Sequence, residues 1–388
     1  MTPPRGFPTS EFEARLARAQ AMMADTGHDA LLLTREVDVR YFSGFLTQFW
    51  ESPTRPWFLV LPSAGKPVAV IPAIGEVCMM RAGWVEDIRT WSSPAPIDDG
   101  VSLLAATLTE LAGPSGAIGL PMGRETHLRM PLADYDELRG KLPGATFSDG
   151  TDIVKSLRMV KSELEIAKIA HVCGLVSDTF DQAATLFAVG QSDVDACRAF
   201  KIECLNRGVD DVSYVAWGVG PSGYDDIISR PSGRLIAKGD VMILDTGCVY
   251  DGYFSDFDRN YAFGDAGDEA RRAYETVYRA TDAGLALARP GTTCAELFGA
   301  MQAVLDEGGA MGNDVGRLGH GLGCQLTEWP SHTDFDTTVL APGMVITLEP
   351  GMLFAPGCMM VHEENIVIRE GPPQLLSRRA APELPVIG

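Results

Sequence analysis

The sequence lacks several features that would each point to a particular function. No apolar run is long enough to span a bilayer, and the opening MTPPRGFPTSEFEARL contains no apolar signal core. No CxxC pair occurs among the eight cysteines, which lie scattered through apolar segments. We therefore expect reduced, mostly buried thiols and a cytoplasmic protein that acts on soluble material, with no membrane partner.

Positive charge is also scarce in this chain. There are 32 Lys and Arg residues against 52 Asp and Glu residues, which gives a formal net charge of −20 at pH 7. Because nucleic acid and anionic membrane surfaces would be repelled, neither is an expected partner. A length of 388 residues predicts two or three domains, or one small and one large. The chain is 46% hydrophobic, which is an ordinary globular balance.

The N-terminal part of the chain has a mixed pattern of helices and strands. Ser10 and Glu13 have the spacing of a capping box, and Gly27 that of a C-cap glycine. The pattern predicts, in chain order, a helix at 10–26, the strand ALLLT, a hairpin at 58–72, a helix near 99–112, the strand GAIGLP and a helix near 131–140. It indicates an α/β domain over residues 1–150.

A second pattern of elements begins after a boundary that we place between Ser148 and Lys161. Ser162 and Glu165 form another capping box, which opens a helix predicted to run to the mid-180s. Further helices are predicted at 192–206, 268–287 and 293–307, the last opened by Thr293 and Glu296. The second domain is therefore predicted over residues 155–388.

Five candidate metal ligands stand in or beside short apolar runs of this second domain. They are Asp245 in VMILDTG, Asp256 in GYFSDFDRN, His320 in RLGHGLG, Glu349 in MVITLEP and Glu363 in MMVHEENIVI. Four carboxylates in a core would be costly without positive charge between them. Two divalent cations would balance that charge, and oxygen donors with one imidazole suit Mn²⁺, Fe²⁺, Co²⁺ or Zn²⁺.

The spacing of the aspartates indicates how they would meet. Asp251-Gly252 between Asp245 and Asp256 is a strong hairpin signal, so the two carboxylates are expected to face each other across adjacent strands. Asp258 lies two residues after Asp256 and would share its strand face.

These five motifs, in this order, resemble the M24 metallopeptidase-like family, which includes Xaa-Pro dipeptidase, methionine aminopeptidase and creatinase. The matching contexts are DTG, GYFSDFDR, GHGLG, LEPGM and HEEN. The resemblance implies a creatinase/prolidase-like N-terminal domain followed by a "pita-bread" catalytic domain with a dinuclear site. It implies that Asp245 and Asp256 bind one metal, that His320 and Glu349 bind the other, and that Asp256 and Glu363 bridge them.

Four positions depart from the family pattern. Thr327 in LTEWP, and Ile228 or Ser229 further upstream, stand where the peptidases carry histidines. Val361 replaces an arginine that holds a peptide carboxylate, and Asp258 replaces a threonine. The LTEWP and MVHEEN stretches look closer to the ectoine hydrolase or dimethylsulfoniopropionate lyase branches. Because the two histidines and the arginine are absent, we expect Xaa-Pro dipeptides to be poor substrates and a compact zwitterion to fit.

The resulting hypothesis is a metallohydrolase that cleaves an amide C–N bond in a small solute or dipeptide, with a hydroxide bridging the metals as nucleophile. Glu349 is the candidate proton relay to the leaving nitrogen. Three alternatives stay open: an Xaa-Pro dipeptidase, a lyase in which Asp258 or a metal-bound hydroxide removes a proton, and a non-catalytic binding module.

Further candidates have both a functional and a structural interpretation. Asp258 is a ligand or proton relay, or else it pairs with Arg230 or Arg259. His332, in WPSHTDFD, is a general acid or substrate contact, or else an exposed histidine without a role. Candidate substrate contacts are Trp50, Tyr224 or Trp329 for the cationic end and Arg55 or Arg230 for the carboxylate.

The segment from Trp50 to Trp57 is rich in aromatics for a surface connection. We expect a homodimer in which this loop approaches the partner's metal site. The alternative is that both tryptophans belong to the core of the N-terminal domain, with Arg55 at its rim.

Overall fold

The computed structural model describes residues 2–51, 55–312 and 316–388. It divides into two compact units, an N-terminal unit of Pro4–Arg158 and a C-terminal unit made mainly of Met159–Gly388. The domain ranges 1–150 and 155–388 stay a prediction. None of the helices in the described ranges is long and apolar enough to cross a membrane.

In its described part the N-terminal unit is a six-stranded sheet with helices. The strands are β1 Ala30–Leu33, β2 Phe58–Pro62, β3 Val68–Pro72, β4 Asp87–Trp91, β5 Ala117–Leu120 and β6 Thr146–Asp149. The helices are α1 Thr9–Thr26, α2 Glu36–Ser43, α3 Glu76–Arg81, α4 Val101–Ala112, α5 Leu132–Lys141 and α6 Thr151–Met159. The strand order is β4-β3-β2-β1-β5-β6, and β2 and β3 form the predicted antiparallel hairpin.

The N-cap of helix α1 lies two residues earlier than the sequence predicts. Pro8 is the N-cap, without a side-chain hydrogen bond, so the capping box of Ser10 and Glu13 is wrong because both residues lie inside the helix. Gly27 is confirmed as the C-cap with φ of 72°, a conformation that favours glycine.

The tryptophans of the predicted dimer loop lie in the core of the N-terminal unit. Trp50 and Trp57 are buried and pack on each other, with ring centroids 6.0 Å apart. The guanidinium of Arg129 lies 5.0 Å from the Trp50 ring, and it donates to the backbone oxygens of Trp50 and Arg55. These rings are therefore not surface aromatics within this unit. Ser52, Pro53 and Thr54 lie outside the described residues.

The C-terminal unit contains helices and several short sheets. Its helices are α7 Glu163–Phe180, α8 Ala183–Leu186, α9 Asp193–Arg207, α10 Gly267–Leu287 and α11 Cys294–Glu307. Its strands are β7 Asp211–Pro221, β8 Asp240–Tyr250, β9 Tyr253–Phe254, β10 Phe257–Phe263, β11 His320–Gly321, β12 Glu328–Ser331, β13 Val345–Leu348, β14 Gly351–Ala355, β15 Cys358–Val361, β16 Glu364–Val367, β17 Gln374–Leu375 and β18 Val386–Ile387.

Two of the predicted capping boxes are confirmed here. Ser162 with Glu165 caps α7, and Thr293 with Glu296 caps α11. The helix predicted to reach the mid-180s is wrong in length, because α7 ends at Phe180 and a separate short helix follows.

Two sheets of the C-terminal unit carry the candidate ligands. One has the order β18-β10-β8-β7, with β9 paired to β8, and the other has the order β12-β11-β13-β16-β17. Helices α10 and α11 bury an apolar face, including Val277, Leu297 and Met301, in a common core with strand residues such as Ile346. This packing fixes the strands whose ends carry the carboxylates.

Candidate metal centre

Three of the five predicted ligands meet directly. Asp256, His320 and Glu363 are all buried, and each offers a donor atom within 4.8 Å of the others. Asp256 precedes β10, His320 begins β11, and Glu363 lies between β15 and β16. The two sheets thus contribute to one cluster, although they are far apart in sequence.

Tyr214 of β7 brings the fourth residue, Asp245, to this cluster. Its phenol oxygen lies 2.8 Å from Asp245 Oδ1 and also contacts Asp256 Oδ1. One hydroxyl hydrogen serves only one of two carboxylates, so this pair needs a further positive group. The register differs from the expected one: Asp258, not Asp256, is paired with Asp245 across β8 and β10.

His320 is oriented by its own backbone surroundings. Its Nδ1 lies 2.9 Å from Gly321 O, which makes Nδ1–H the donor and leaves Nε2 directed at the acids. Nε2 is 3.4 Å from Asp256 Oδ2 and 3.7 Å from Glu349 Oε1. Fixing one ring nitrogen by a carbonyl is the usual arrangement of a metal-binding histidine.

The fifth residue, Glu349, follows β13 and lies beside His320. Its Oε1 is also 3.7 Å from Nε of Arg317, three residues before His320. At that separation the guanidinium attracts the carboxylate without a hydrogen bond. The arginine is partly exposed, with 32% of its side-chain surface accessible.

Burial and mutual repulsion shift the pKa values of these acids. Burial, followed by Asp256, raises the pKa of Asp245 and that of Glu363 well above their ordinary values. Burial also raises the pKa of Glu349. Burial alone would lower the pKa of His320, but attraction to Glu349 and Asp256 raises it. Carboxyl groups with raised pKa values are destabilised in their charged form, and a bound cation would stabilise that form.

The donor set fits a divalent cation. Within the described residues, Glu363 Oε1 is buried without a hydrogen-bond partner. An unpaired buried oxygen costs about 1–3 kcal/mol, and more when charged. A cation between Glu363, Asp256 and His320 would remove that cost, and oxygen with imidazole donors is a usual set for such ions.

The side chain of Asn365 forms two hydrogen bonds with the main chain of Asp256. Asp256 N donates to Asn365 Oδ1 at 3.0 Å, while Asn365 Nδ2 donates to Asp256 O. This reciprocal pair joins β16 of one sheet to the segment before β10 of the other. It fixes Asp256 at the cluster although Asp256 itself lies outside a regular strand.

The predicted ion pair of Asp258 with Arg230 or Arg259 is wrong. Arg259 Nη1 donates to the backbone oxygen of Asp258, and Asp258 Oδ2 is buried without a partner among the described residues. Burial, then the nearby Asp245, raises the pKa of Asp258 well above its ordinary value. The relay role stays a prediction.

The exposed location expected for His332 is also wrong. The side chain is fully buried, and a Cβ on Gly319 would lie 2.3 Å from its Cδ2, so glycine permits the close approach. Backbone bonds to Gly319 and Leu318 draw this loop inward. Burial lowers the pKa of His332 to about 3, which argues against the predicted general-acid role at neutral pH.

A cavity of about 830 Å³ opens above the cluster. Among the described residues it is lined by acids, apolar side chains and one arginine: Asp225, Asp226, Asp245, Asp256, Glu349, Ile227, Ile228, Leu326, Met359, Val361, Thr327, Tyr214, His320 and Arg317, with Ala216 and Gly351. The departures Thr327, Ile228 and Val361 therefore all face the space beside the cluster.

The predicted substrate contacts are not gathered at this cavity. Tyr224 is buried, donates to Asn260 Oδ1 and accepts from Val361 N. Neither Tyr224, Trp329 nor Arg230 belongs to the described lining. Arg230 instead lines a neighbouring cavity of about 370 Å³. Trp50 and Arg55 lie in the N-terminal unit, and their contact with substrate stays a prediction.

Sequence reasoning missed Tyr214 and Arg317. Tyr214 stands in a strand, DVSYVAWGVG, with no ligand motif of its own. Arg317 is part of the run RLGHGLG that contains His320, and its spacing of three residues was the only available signal. Both are placed at the cluster by tertiary packing.

Tyr214→Phe should weaken the centre without unfolding it. Loss of the hydroxyl removes the donor to Asp245, and changing such an outer partner typically costs about 10–100-fold in metal affinity or activity. Metal titration and steady-state kinetics would measure the loss. Tyr261→Phe is the matched control, because its hydroxyl bonds Phe180 O on the same sheet away from the acids. Equal effects of both variants would contradict the assigned role.

A strand-and-helix N-terminal unit followed by two sheets that gather carboxylates around one histidine is an arrangement of metallopeptidases. The chain belongs to metallopeptidase family M24, whose model matches residues 167–370. The model of the Creatinase/Prolidase N-terminal domain matches residues 15–160. The family and the two-domain pita-bread fold predicted from the sequence are thereby confirmed.

Named relatives cover nearly the whole chain. It is 30% identical over 368 residues to the "Probable dipeptidase PepE" of Mycobacterium tuberculosis, covering 94% of this chain and 93% of the relative. The crystal structure of dipeptidase PepE from Mycobacterium ulcerans has a TM-score of 0.85 at 28% identity, covering 98% of this chain and 99% of that one. Prolidase from Thermococcus sibiricus shares the fold, with a TM-score of 0.86 at 23% identity over 97% of this chain and 99% of that one.

Proposed function

We propose that the chain is a metal-dependent dipeptidase that hydrolyses the amide C–N bond of a small zwitterionic dipeptide. The observation that carries the proposal is the convergence of Asp256, His320 and Glu363 within 4.8 Å, beside the cavity that Asp256 and His320 line. The likeness to dipeptidase PepE over 94% of the chain supports a dipeptide rather than another small solute.

Five side chains would hold two divalent ions in this proposal. They are Asp245, Asp256, His320, Glu349 and Glu363. When bound, such ions polarise a carbonyl and make water a stronger nucleophile near neutral pH. Manganese, iron, cobalt and zinc all suit this mixture of donors.

The chain's own groups orient the reactants and move the proton. The Nδ1–H bond to Gly321 O keeps His320 Nε2 turned to the cluster. Glu349 lines the cavity beside it, so its carboxylate can take a proton from the attacking water and deliver it to the departing nitrogen. Apolar walls such as Leu326 and Val361 limit the water around the scissile bond.

Product analysis tests this proposal against its rivals. Metal-loaded protein incubated with a panel of dipeptides should release two free amino acids, with one oxygen from ¹⁸O-labelled water in the new carboxylate. Because Thr327 and Val361 stand beside the cluster, Gly-Pro and Ala-Pro should be turned over more slowly than non-prolyl dipeptides. Efficient turnover of Gly-Pro, within about 10⁴–10⁸ M⁻¹s⁻¹, would instead favour an Xaa-Pro dipeptidase.

Other results would remove the dipeptidase proposal. An alkene product without solvent oxygen would indicate a lyase. Tight metal and dipeptide binding without any turnover would indicate a binding module. The predicted homodimer and cytoplasmic location enter none of these experiments and stay predictions.

A further inference from the structure

We infer that Arg317 recognises the free carboxylate of the substrate. This inference rests on the proposed function and names the residue that would select its substrate. Arg317 is the single Lys or Arg side chain in the described lining of the 830 Å³ cavity. Among the described lining residues, it is therefore the one guanidinium or ammonium group with which a substrate carboxylate can form an ion pair.

The guanidinium has unused hydrogen-bonding capacity. An arginine carries five N–H donors in a rigid fork that matches a carboxylate. Within residues 2–51, 55–312 and 316–388, Arg317 makes no hydrogen bond, and its one ion pair, to Glu349, is long at 3.7 Å. The buried Arg259, by contrast, donates to Glu364 and to backbone oxygens. Arg317 is therefore available to a ligand that enters the cavity.

Arg317 lies close enough to the cluster for a substrate carboxylate to reach it. Arg317 Nε and His320 Nε2 lie 3.7 Å from the same atom, Glu349 Oε1, so their separation is at most twice that length. An extended chain advances about 3.3–3.6 Å per residue. The carboxylate of a dipeptide lies one residue past the scissile carbonyl, within reach of the guanidinium.

The test compares a free acid with its amide. The two probes are the best dipeptide of the panel and the same dipeptide with a C-terminal carboxamide. Wild type should prefer the free acid. Arg317→Gln should lower kcat/KM for the free acid by about 10–100-fold, mainly through KM, as expected for loss of a charged hydrogen bond. It should change kcat/KM for the amide by less than about threefold, and Arg317→Lys should recover part of the loss.

Arg230→Gln is the matched control, because Arg230 lines the neighbouring cavity and is absent from the described lining of this one. The inference is overturned if Arg317→Gln slows the acid and the amide equally, since the arginine would then act through Glu349 alone. It is also overturned if Arg230→Gln, and not Arg317→Gln, removes the preference for the acid.

Failure of the proposed function is recognised separately. If wild type with bound metal hydrolyses neither acid nor amide, the dipeptidase proposal fails. Calorimetric titration of wild type and Arg317→Gln with the same two probes then still decides the inference. A preference for the free acid that depends on Arg317 supports it, and equal binding of acid and amide overturns it.

Discussion

His320→Ala is expected to abolish turnover while the fold persists. The imidazole is the single nitrogen donor of the described cluster, and its Nε2 lies 3.4 Å from Asp256 and 3.7 Å from Glu349. Loss of a direct ligand should exceed the roughly 10–100-fold typical of outer partners. Elemental analysis should show reduced bound metal, and circular dichroism should be unchanged because strands β11 and β13 keep their apolar neighbours.

His127→Ala is the control for this experiment. It removes an exposed imidazole from the N-terminal unit and should leave both metal content and activity unchanged. Protein that is active without any bound transition metal, or a His320→Ala variant with full activity, would refute the metal mechanism. A variant that fails to fold is identified by its circular dichroism, and His320→Gln then takes its place.

Removal of metal is expected to make stability strongly dependent on pH. Burial raises the folded-state pKa of Asp245, Glu349 and Glu363. A carboxyl with a raised folded pKa contributes stability below its unfolded pKa of about 4, and that contribution is lost as pH rises through the folded value. The chelated protein should therefore have a lower Tm at about pH 8 than at about pH 5.

Bound metal should reverse that trend. Cations bind deprotonated ligands, so affinity and stabilisation increase as the pH rises. At a free metal concentration of about a hundred times Kd, stabilisation is about 2.7 kcal/mol, or roughly 3 °C in Tm for a chain of 388 residues. Differential scanning calorimetry with and without chelator should show a gap that widens with pH. A gap that is constant or narrows would contradict the assignment of these acids to the site.

Local sequence patterns predict that a helix is present better than they predict the residue at which it begins. Ser162 with Glu165 and Thr293 with Glu296 form capping boxes because a coil precedes each pair. Ser10 and Glu13 have the same spacing, but Pro8 already ends the extended segment, and the helix includes both residues. The spacing alone does not reveal where the chain turns into the helix.

Long-range placement limits what could be predicted of the site. The motifs around His320 and Glu363 are local and identify these residues as candidates. The pairing of Asp245 with Asp258 depends on the irregular segment between β9 and β10. The alternation of side chains along a regular strand does not apply to that segment, so it does not predict which residues are paired. His332 stands among polar loop residues, yet backbone pairing with Gly319 buries it. Arg317 is recognised as a residue of the site only once the structure places it 3.7 Å from Glu349.

The division of the cluster between two sheets has a consequence for biosynthesis. Asp256 comes from one sheet, and His320 and Glu363 come from the other. Glu363 is synthesised more than one hundred residues after Asp245. Domains fold as units, with the N-terminal one first during synthesis. A nascent chain that has passed Asp256 but not Glu363 has no complete coordination set. Under the proposed ligand assignment, the complete metal site forms only after the last strands have been synthesised and the C-terminal unit has folded.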